Sequence, residues 1–255
     1  MRAIRAIAIN TFREAIRDRI LYLFVGFAVV LILSTKLFGM LTVGDETKIV
    51  KDIGLASMQF FSMLIAVMMS MLLVSREVET RTVFNILAKP VRRWQFLLGK
   101  YLGLVAIVAA NLFFITVVLS VMVVVYERQF DPMLFFAAAM TLLEMLVLAA
   151  FAILFAVLTN PILGSLMTLA VFVVGHMSAD LWLLTRQLPG AMARHVIAVV
   201  YYLIPNLERF DFRTEVVHDL PIPMASVGWA FVYAFAFVAA VLFLANLKFR
   251  SKDLK

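Results

Sequence analysis

Six apolar runs decide what this chain can fold into. They cover residues 20–41, 53–74, 97–126, 133–158, 162–184 and 225–247. Each reaches the roughly 20 residues that a helix needs to cross a bilayer core. Inside lipid every backbone N–H and C=O must find its partner within the protein, so a continuous apolar run selects helix. Barrel strands would alternate apolar and polar residues, and these runs do not. Composition agrees, with 15% charged residues against about 25% in a soluble domain. The chain reads as an all-α polytopic membrane protein, one domain over 1–255 with six transmembrane helices.

Residues 1–19 read as an amphipathic interface helix. Ile4, Ile7, Phe12 and Ile16 fall on one side, and Arg2, Arg5, Arg13 and Arg17 favour the other, a pattern suited to the headgroup plane. Five arginines in nineteen residues, with no small-residue cleavage site, do not read as a signal peptide. Basic residues set the orientation. With the N-terminus inside, its five arginines, the six Lys and Arg of 75–100 and the four after 247 place fifteen of the 23 on that side. Both termini are therefore expected in the cytoplasm, and the net charge of +7 is a topology signal rather than a nucleic-acid signal. Asn160-Pro161 reads as a tight inner turn. The outer region 185–224 is long, and its apolar stretch 191–204 is too short to span, which suits a re-entrant or surface-lying helix.

The cytoplasmic loop 75–96 carries the most specific pattern. Thr80 or Thr82 can cap a helix. Val83, Phe84 and Leu87 then share one face, and Lys89-Pro90 stops the helix, because the residue before proline avoids the α region. Arg92, Arg93 and Trp94 mark the membrane interface. A helix of two turns is unstable alone, so its apolar patch needs a membrane surface or a partner's groove. The chain has no GxxxxGK[ST] phosphate loop and no Cys. ATP energy, if used, comes from another subunit, and thiolate chemistry is excluded.

Glu77, Arg81-Thr82, Leu87, the run Lys89-Pro90-Val91-Arg92-Arg93 and Phe96-Leu97-Leu98-Gly99-Lys100 resemble the first cytoplasmic loop of permease subunits of the second type of ABC exporter. Pro205-Asn206-Leu207-Glu208-Arg209-Phe210 resembles the branch associated with maturation of multicopper enzymes such as nitrous-oxide reductase. Arg81 stands where drug and polysaccharide exporters often have Gly. The resemblance implies a coupling helix between spans two and three, seated in a cleft of a separate cytoplasmic ATPase that uses ATP and Mg. Val83, Phe84 and Leu87 would be its anchors. Glu77, Arg81, Thr82, Pro90 and Arg93 would shape the loop or touch the ATPase. A second permease subunit, by symmetry a second copy, and a periplasmic accessory protein complete the implied partners, in a bacterial-type inner membrane. The chain itself would be non-catalytic and bind no cofactor.

Other residues stand out within the spans. Gly99 and Gly103 form a GxxxG that lets helices approach closely, within the subunit or between two permeases. Glu144 lies mid-span, where a carboxylate must be paired, protonated or facing water. It lines a translocation path or bonds a neighbouring helix. His176 and Asp180, one turn apart, read as an outer gate pair or a plain hydrogen-bonded pair. Methionines at 58, 63, 68, 69 and 71, with three histidines, offer Cu(I) ligands or simply fill helix interfaces. A secondary transporter or channel without an ATPase, using Glu144 as a proton site, is the alternative whole-protein reading. An intramembrane enzyme lacks any HExxH or Gly-x-Ser-x-Gly motif.

Overall fold

The computed structural model describes residues 2–39, 46–79, 92–178 and 203–251, with Met192, Ala198 and Tyr201 as isolated residues between. Arg81, Thr82, Val83, Phe84, Leu87, Pro90 and Asp180, and most of the stretch 191–204, lie outside the described residues. Everything described is helix, turn or extended connection, with no strand among the described residues.

Helix α1 (Arg2–Ile16) turns into α2 (Arg19–Gly39) across two residues. Asp18 sits at the corner, and its Oδ1 accepts the Ile20 N–H at 3.0 Å, which satisfies one orphan donor of α2. Helices α3 (Glu46–Glu79), α4 (Arg93–Glu127) and α5 (Met133–Leu158) follow. Helix α6 (Pro161–His176) starts on Pro161, with Asn160 Oδ1 accepting the Leu163 N–H at 2.8 Å. A return segment, residues 203–223, contains a 3-10 turn (Glu208–Phe210) and α7 (Arg213–Val217) and leads into α8 (Met224–Ser251).

Stretches of α3, α4, α5 and α8 are long and apolar enough to cross a membrane, and α2 and α6 contribute shorter apolar helices. Two elements depart from the hydropathy-based boundaries. At 34 residues, α3 is about 51 Å long against a hydrocarbon core of about 30 Å. Its apolar run ends at Val74, and the helix continues through Glu79. The stretch 42–52 between the first two apolar runs is helical from Glu46 onward. Helix α6, by contrast, has 16 residues, about 24 Å. Met177 N–H bonds both Val173 O and Val174 O, tightening its last turn.

Helix α5 is the centre of the bundle. It packs against α3, α4, α6 and α8 and against the return segment. Ala137, Ala149, Ala150 and Ala152 are buried in it and allow this close approach. Outward faces are apolar too. Tyr22, Leu23, Phe27 and Val30 of α2 and Trp229, Phe235, Phe243 and Leu244 of α8 are exposed. Such surface suits lipid and is unsuited to water.

The N-terminal helix lies on protein. A Cβ at Gly99 would stand 2.7 Å from Ile7 Cβ, and one at Gly103 would stand 2.5 Å from Thr11 Cβ and 2.9 Å from Ala8 O. The two glycines of α4 are thus the seat of α1. Thr11 and Ala15 are buried there, while Ile9 and Ile16 face outward. Sequence polarity alone assigned the whole apolar side of α1 to the headgroup plane; the groove made by Gly99 and Gly103 takes part of it.

Candidate functional site

Three polar side chains meet deep in the bundle. Glu144 is fully buried on α5. Its Oε2 accepts from Gln59 Nε2 of α3 at 2.8 Å. The same amide nitrogen lies 3.0 Å from Nε2 of His176, the last residue of α6. His176 Nδ1 is 3.0 Å from Phe172 O, so Nδ1 carries the proton and Nε2 accepts. Glu144 Oε1 lies 3.4 Å from that Nε2. Among the described residues Oε1 has no hydrogen-bond partner. Gln59 therefore spends its two N–H groups holding a carboxyl and an imidazole side by side.

The return segment closes over this cluster. Leu207 N–H donates to Gly175 O at 3.1 Å. Gly175 has to be glycine here, since a Cβ would stand 2.7 Å from Leu207 Cγ and 2.8 Å from Pro205 O. Asn206 N–H donates to the Tyr233 hydroxyl of α8 at 2.8 Å, and the Arg209 guanidinium lies 5.0 Å from the centre of the same ring. Phe210 is buried, and Phe212 meets Phe136 of α5 edge-on at 5.6 Å. A cavity of about 10 Å³ lies among Leu55, Gln59, Thr141, Asp211 and Arg213. Beyond it Arg213 Nε pairs with Asp52 at 3.1 Å, and Lys51 Nζ pairs with Asp131 at 2.8 Å.

The opposite end of the bundle carries the loop residues. Arg93 Nη1 donates to Phe249 O at 2.7 Å, and Phe96 stacks on the Phe249 ring at 5.9 Å. These contacts tie the start of α4 to the end of α8. Lys100 is buried beside Glu14 of α1 at 3.8 Å. Asn10, Arg13, Glu14, Arg17 and Asp18 line an open polar depression of about 470 Å³ on the same end. A family model described as ABC-2 family transporter protein matches residues 5–245.

The chain belongs to the ABC-2 transporter family. Membership makes it a multi-pass membrane protein and the permease component of an ABC transporter, a kind of subunit that is generally non-catalytic and works with an ATPase subunit. Among curated proteins no match was found.

In this ABC-2 protein the sequence-derived residues fall into two groups. Glu144 and His176 come together, joined by Gln59. Both ring nitrogens of His176 are engaged by these neighbours and by Phe172 O. Gly99 and Gly103 belong instead to the α1 seat, and Arg93 to the α8 anchor. Glu77 stands on the extension of α3 beyond its apolar part. Met58, Met63, Met69 and Met71 are buried in the bundle, and Met58 Sδ accepts from Thr116 Oγ1 at 3.3 Å. Among the described residues no three His, Asp or Glu side chains converge to hold a metal ion. Sequence reasoning passed over Gln59, Tyr233 and Asp211. A single amide inside the apolar run 53–74 was the available signal for Gln59.

Proposed function

We propose that this chain is the membrane permease of an ATP-driven ABC exporter, moved by a separate cytoplasmic ATPase that grips the loop between α3 and α4. What carries the reading is the geometry on either side of that loop. Helix α3 projects from Val74 to Glu79 beyond its apolar run, about 7 Å of helix. Helix α4 begins at Arg92-Arg93, and Arg93 is bonded to the end of α8. A push on residues 80–91 therefore reaches α3 along its axis, and α8 through Arg93. Helix α3 in turn carries Gln59 to the buried cluster.

Val83, Phe84 and Leu87 are the anchors of the coupling helix in this reading, with Glu77, Arg81, Thr82 and Pro90 fixing the loop. The termini are cytoplasmic in a bacterial-type inner membrane, following the bias of Lys and Arg toward loop 75–100 and both ends. Two copies assemble, because two ATPase subunits must close on each other and such assemblies are usually two-fold symmetric. The cargo pathway serves copper-enzyme maturation, supported by the Pro205–Phe210 segment. Purification from the native membrane with the ATPase tests the core of the reading. Phe84→Asp with Leu87→Asp is expected to abolish co-purification, and a retained complex with unchanged ATP hydrolysis would sink it.

A further inference from the structure

Glu144 has no exposed surface, and its Oε1 meets no hydrogen-bond donor among the described residues. A carboxylate buried with one oxygen unbonded is costly. A carboxylic acid in the same place is satisfied, because an O–H on Oε1 aims at His176 Nε2, 3.4 Å away. The imidazole is prepared for it, since the Nδ1 bond to Phe172 O leaves Nε2 as the lone pair. Gln59 completes the triangle with one N–H to Glu144 and one to His176. With a proton on Oε1, the Glu144 O–H and a Gln59 N–H share the single lone pair of Nε2, and no carboxylate charge is left buried.

We propose that Gln59, Glu144 and His176 form a proton-binding site that ties α3, α5 and α6 together inside the bilayer and exchanges its proton through the cavity beneath the return segment. The cavity of about 10 Å³ touches Gln59 on one side and Asp211 and Arg213 on the other, room for about one water. Arg213 and its partner Asp52 are open to solvent, with side chains 38% and 52% exposed. A water there meets Gln59, the member of the triangle that faces this opening. Displacement of the Gln59 side chain brings that water to Glu144; the Glu144 O–H is then the bond broken, its proton passing to the water, and the bond remade when the proton returns.

Surrounding groups leave this proton to the triangle. From α3, Lys51 pairs with Asp131 and Asp52 with Arg213. The return segment presents Asp211, whose charge acts on Glu144, and Arg209, which lies on the Tyr233 ring. Helix α8 presents Tyr233, whose hydroxyl takes the Asn206 N–H. On α4, Lys100 lies at the other end beside Glu14. The site acts on a joint of the fold, since His176 follows Gly175, whose carbonyl receives Leu207. Proton loading thus bears on whether α6 and the return segment stay docked to α3.

Infrared difference spectroscopy of the full chain in lipid nanodiscs, titrated with pH, tests this. A protonated-carboxyl C=O band is expected to vanish with rising pH in a one-proton step. It should be lost in Glu144→Gln and kept in Glu144→Asp. Its midpoint should move by about one pH unit or more in His176→Gln and in Gln59→Leu. A band that persists in Glu144→Gln, or one indifferent to both partner substitutions, overturns the proposal. Wild-type chain labelled with carboxyl-¹³C glutamate reads the same band without substitution, and a pH-independent labelled spectrum overturns it equally. Neither ATPase nor cargo is needed, so this outcome is separate from that of the transport reading.

Discussion

Gln59 on α3 and Glu144 on α5 stand 85 residues apart in sequence, and the amide nitrogen of one lies 2.8 Å from the carboxyl oxygen of the other. That bond crosses the centre of the bundle and binds the helix that leads to the loop to the helix on which α3, α4, α6 and α8 all pack. Gln59→Leu removes both donors and leaves Glu144 and His176 facing each other unbridged. A buried polar group left unsatisfied costs about 1–3 kcal/mol. Thermal unfolding of the purified chain in lipid should show a lower midpoint for Gln59→Leu, and a smaller loss for Gln59→Asn. An unchanged midpoint in Gln59→Leu removes the bond from the account.

The seat of α1 makes a second, sterically sharp prediction. Gly103→Val places branched carbon where Thr11 Cβ and Ala8 O already stand. Overpacking of this kind costs about 1–3 kcal/mol, and here it is relieved by lifting α1 off α4. Limited proteolysis within residues 2–16 should become much faster in Gly103→Val and in Gly99→Leu. Gly26→Val, where a Cβ meets nothing within 4 Å, is the control that should leave cleavage unchanged.

A third concerns the ion pair at the other end. Lys51 and Asp131 are 2.8 Å apart with side chains 5% and 11% exposed. Breaking a buried pair from one side leaves an uncompensated charge and costs about 3–5 kcal/mol. Lys51→Met should lower the unfolding midpoint markedly. Adding Asp131→Asn should recover most of the loss, because Oδ1 still accepts the Met133 N–H at 2.9 Å. Failure of the double substitution to recover contradicts the pairing.

Arg93 makes a fourth. Its guanidinium satisfies the Phe249 carbonyl in the last turn of α8 and lies 5.8 Å from the centre of the Phe249 ring. Hydrogen bonds to charged groups contribute about 1.5–3 kcal/mol. Arg93→Ala should loosen the C-terminal turns of α8, read as faster amide exchange around Phe249. Protection equal to wild type there would remove Arg93 as the link between loop and α8.

What hydropathy could read, it read well, because run length and helix length answer to the same bilayer. The stretches of α3, α4, α5 and α8 that are long and apolar enough to cross a membrane each overlap a run found from sequence. Partners were the illegible part. The spacing of Gly99 and Gly103 announces a close approach, but nothing local says that the approaching helix is α1. Glu144 announces a need for a partner, yet Gln59 and His176 lie far away in sequence, each in an apolar run. His176 and Asp180 are one turn apart and invite pairing by proximity. Asp180 lies outside the described residues, and at the end of α6 the His176 ring turns its Nε2 to Gln59. Helix α3 outruns its apolar stretch at both ends, since charged residues such as Glu46 and Glu79 continue a helix that hydropathy has already left. The residues proposed to form a coupling helix, from Arg81 to Pro90, lie outside the described residues and were read from pattern and resemblance alone.

The claim on which the rest depends is that α3 is the lever by which an ATPase moves this chain. The protein has no cysteine, so a spin label at Ser75→Cys, on the extension of α3, is clean. The measurement is the label-to-label distance across the two-copy complex with its ATPase, in lipid, with and without a non-hydrolysable ATP analogue. The account predicts a distance that changes on nucleotide binding and a change abolished by Phe84→Asp with Leu87→Asp. A distance that stays the same while the ATPase is bound and occupied by nucleotide would contradict it.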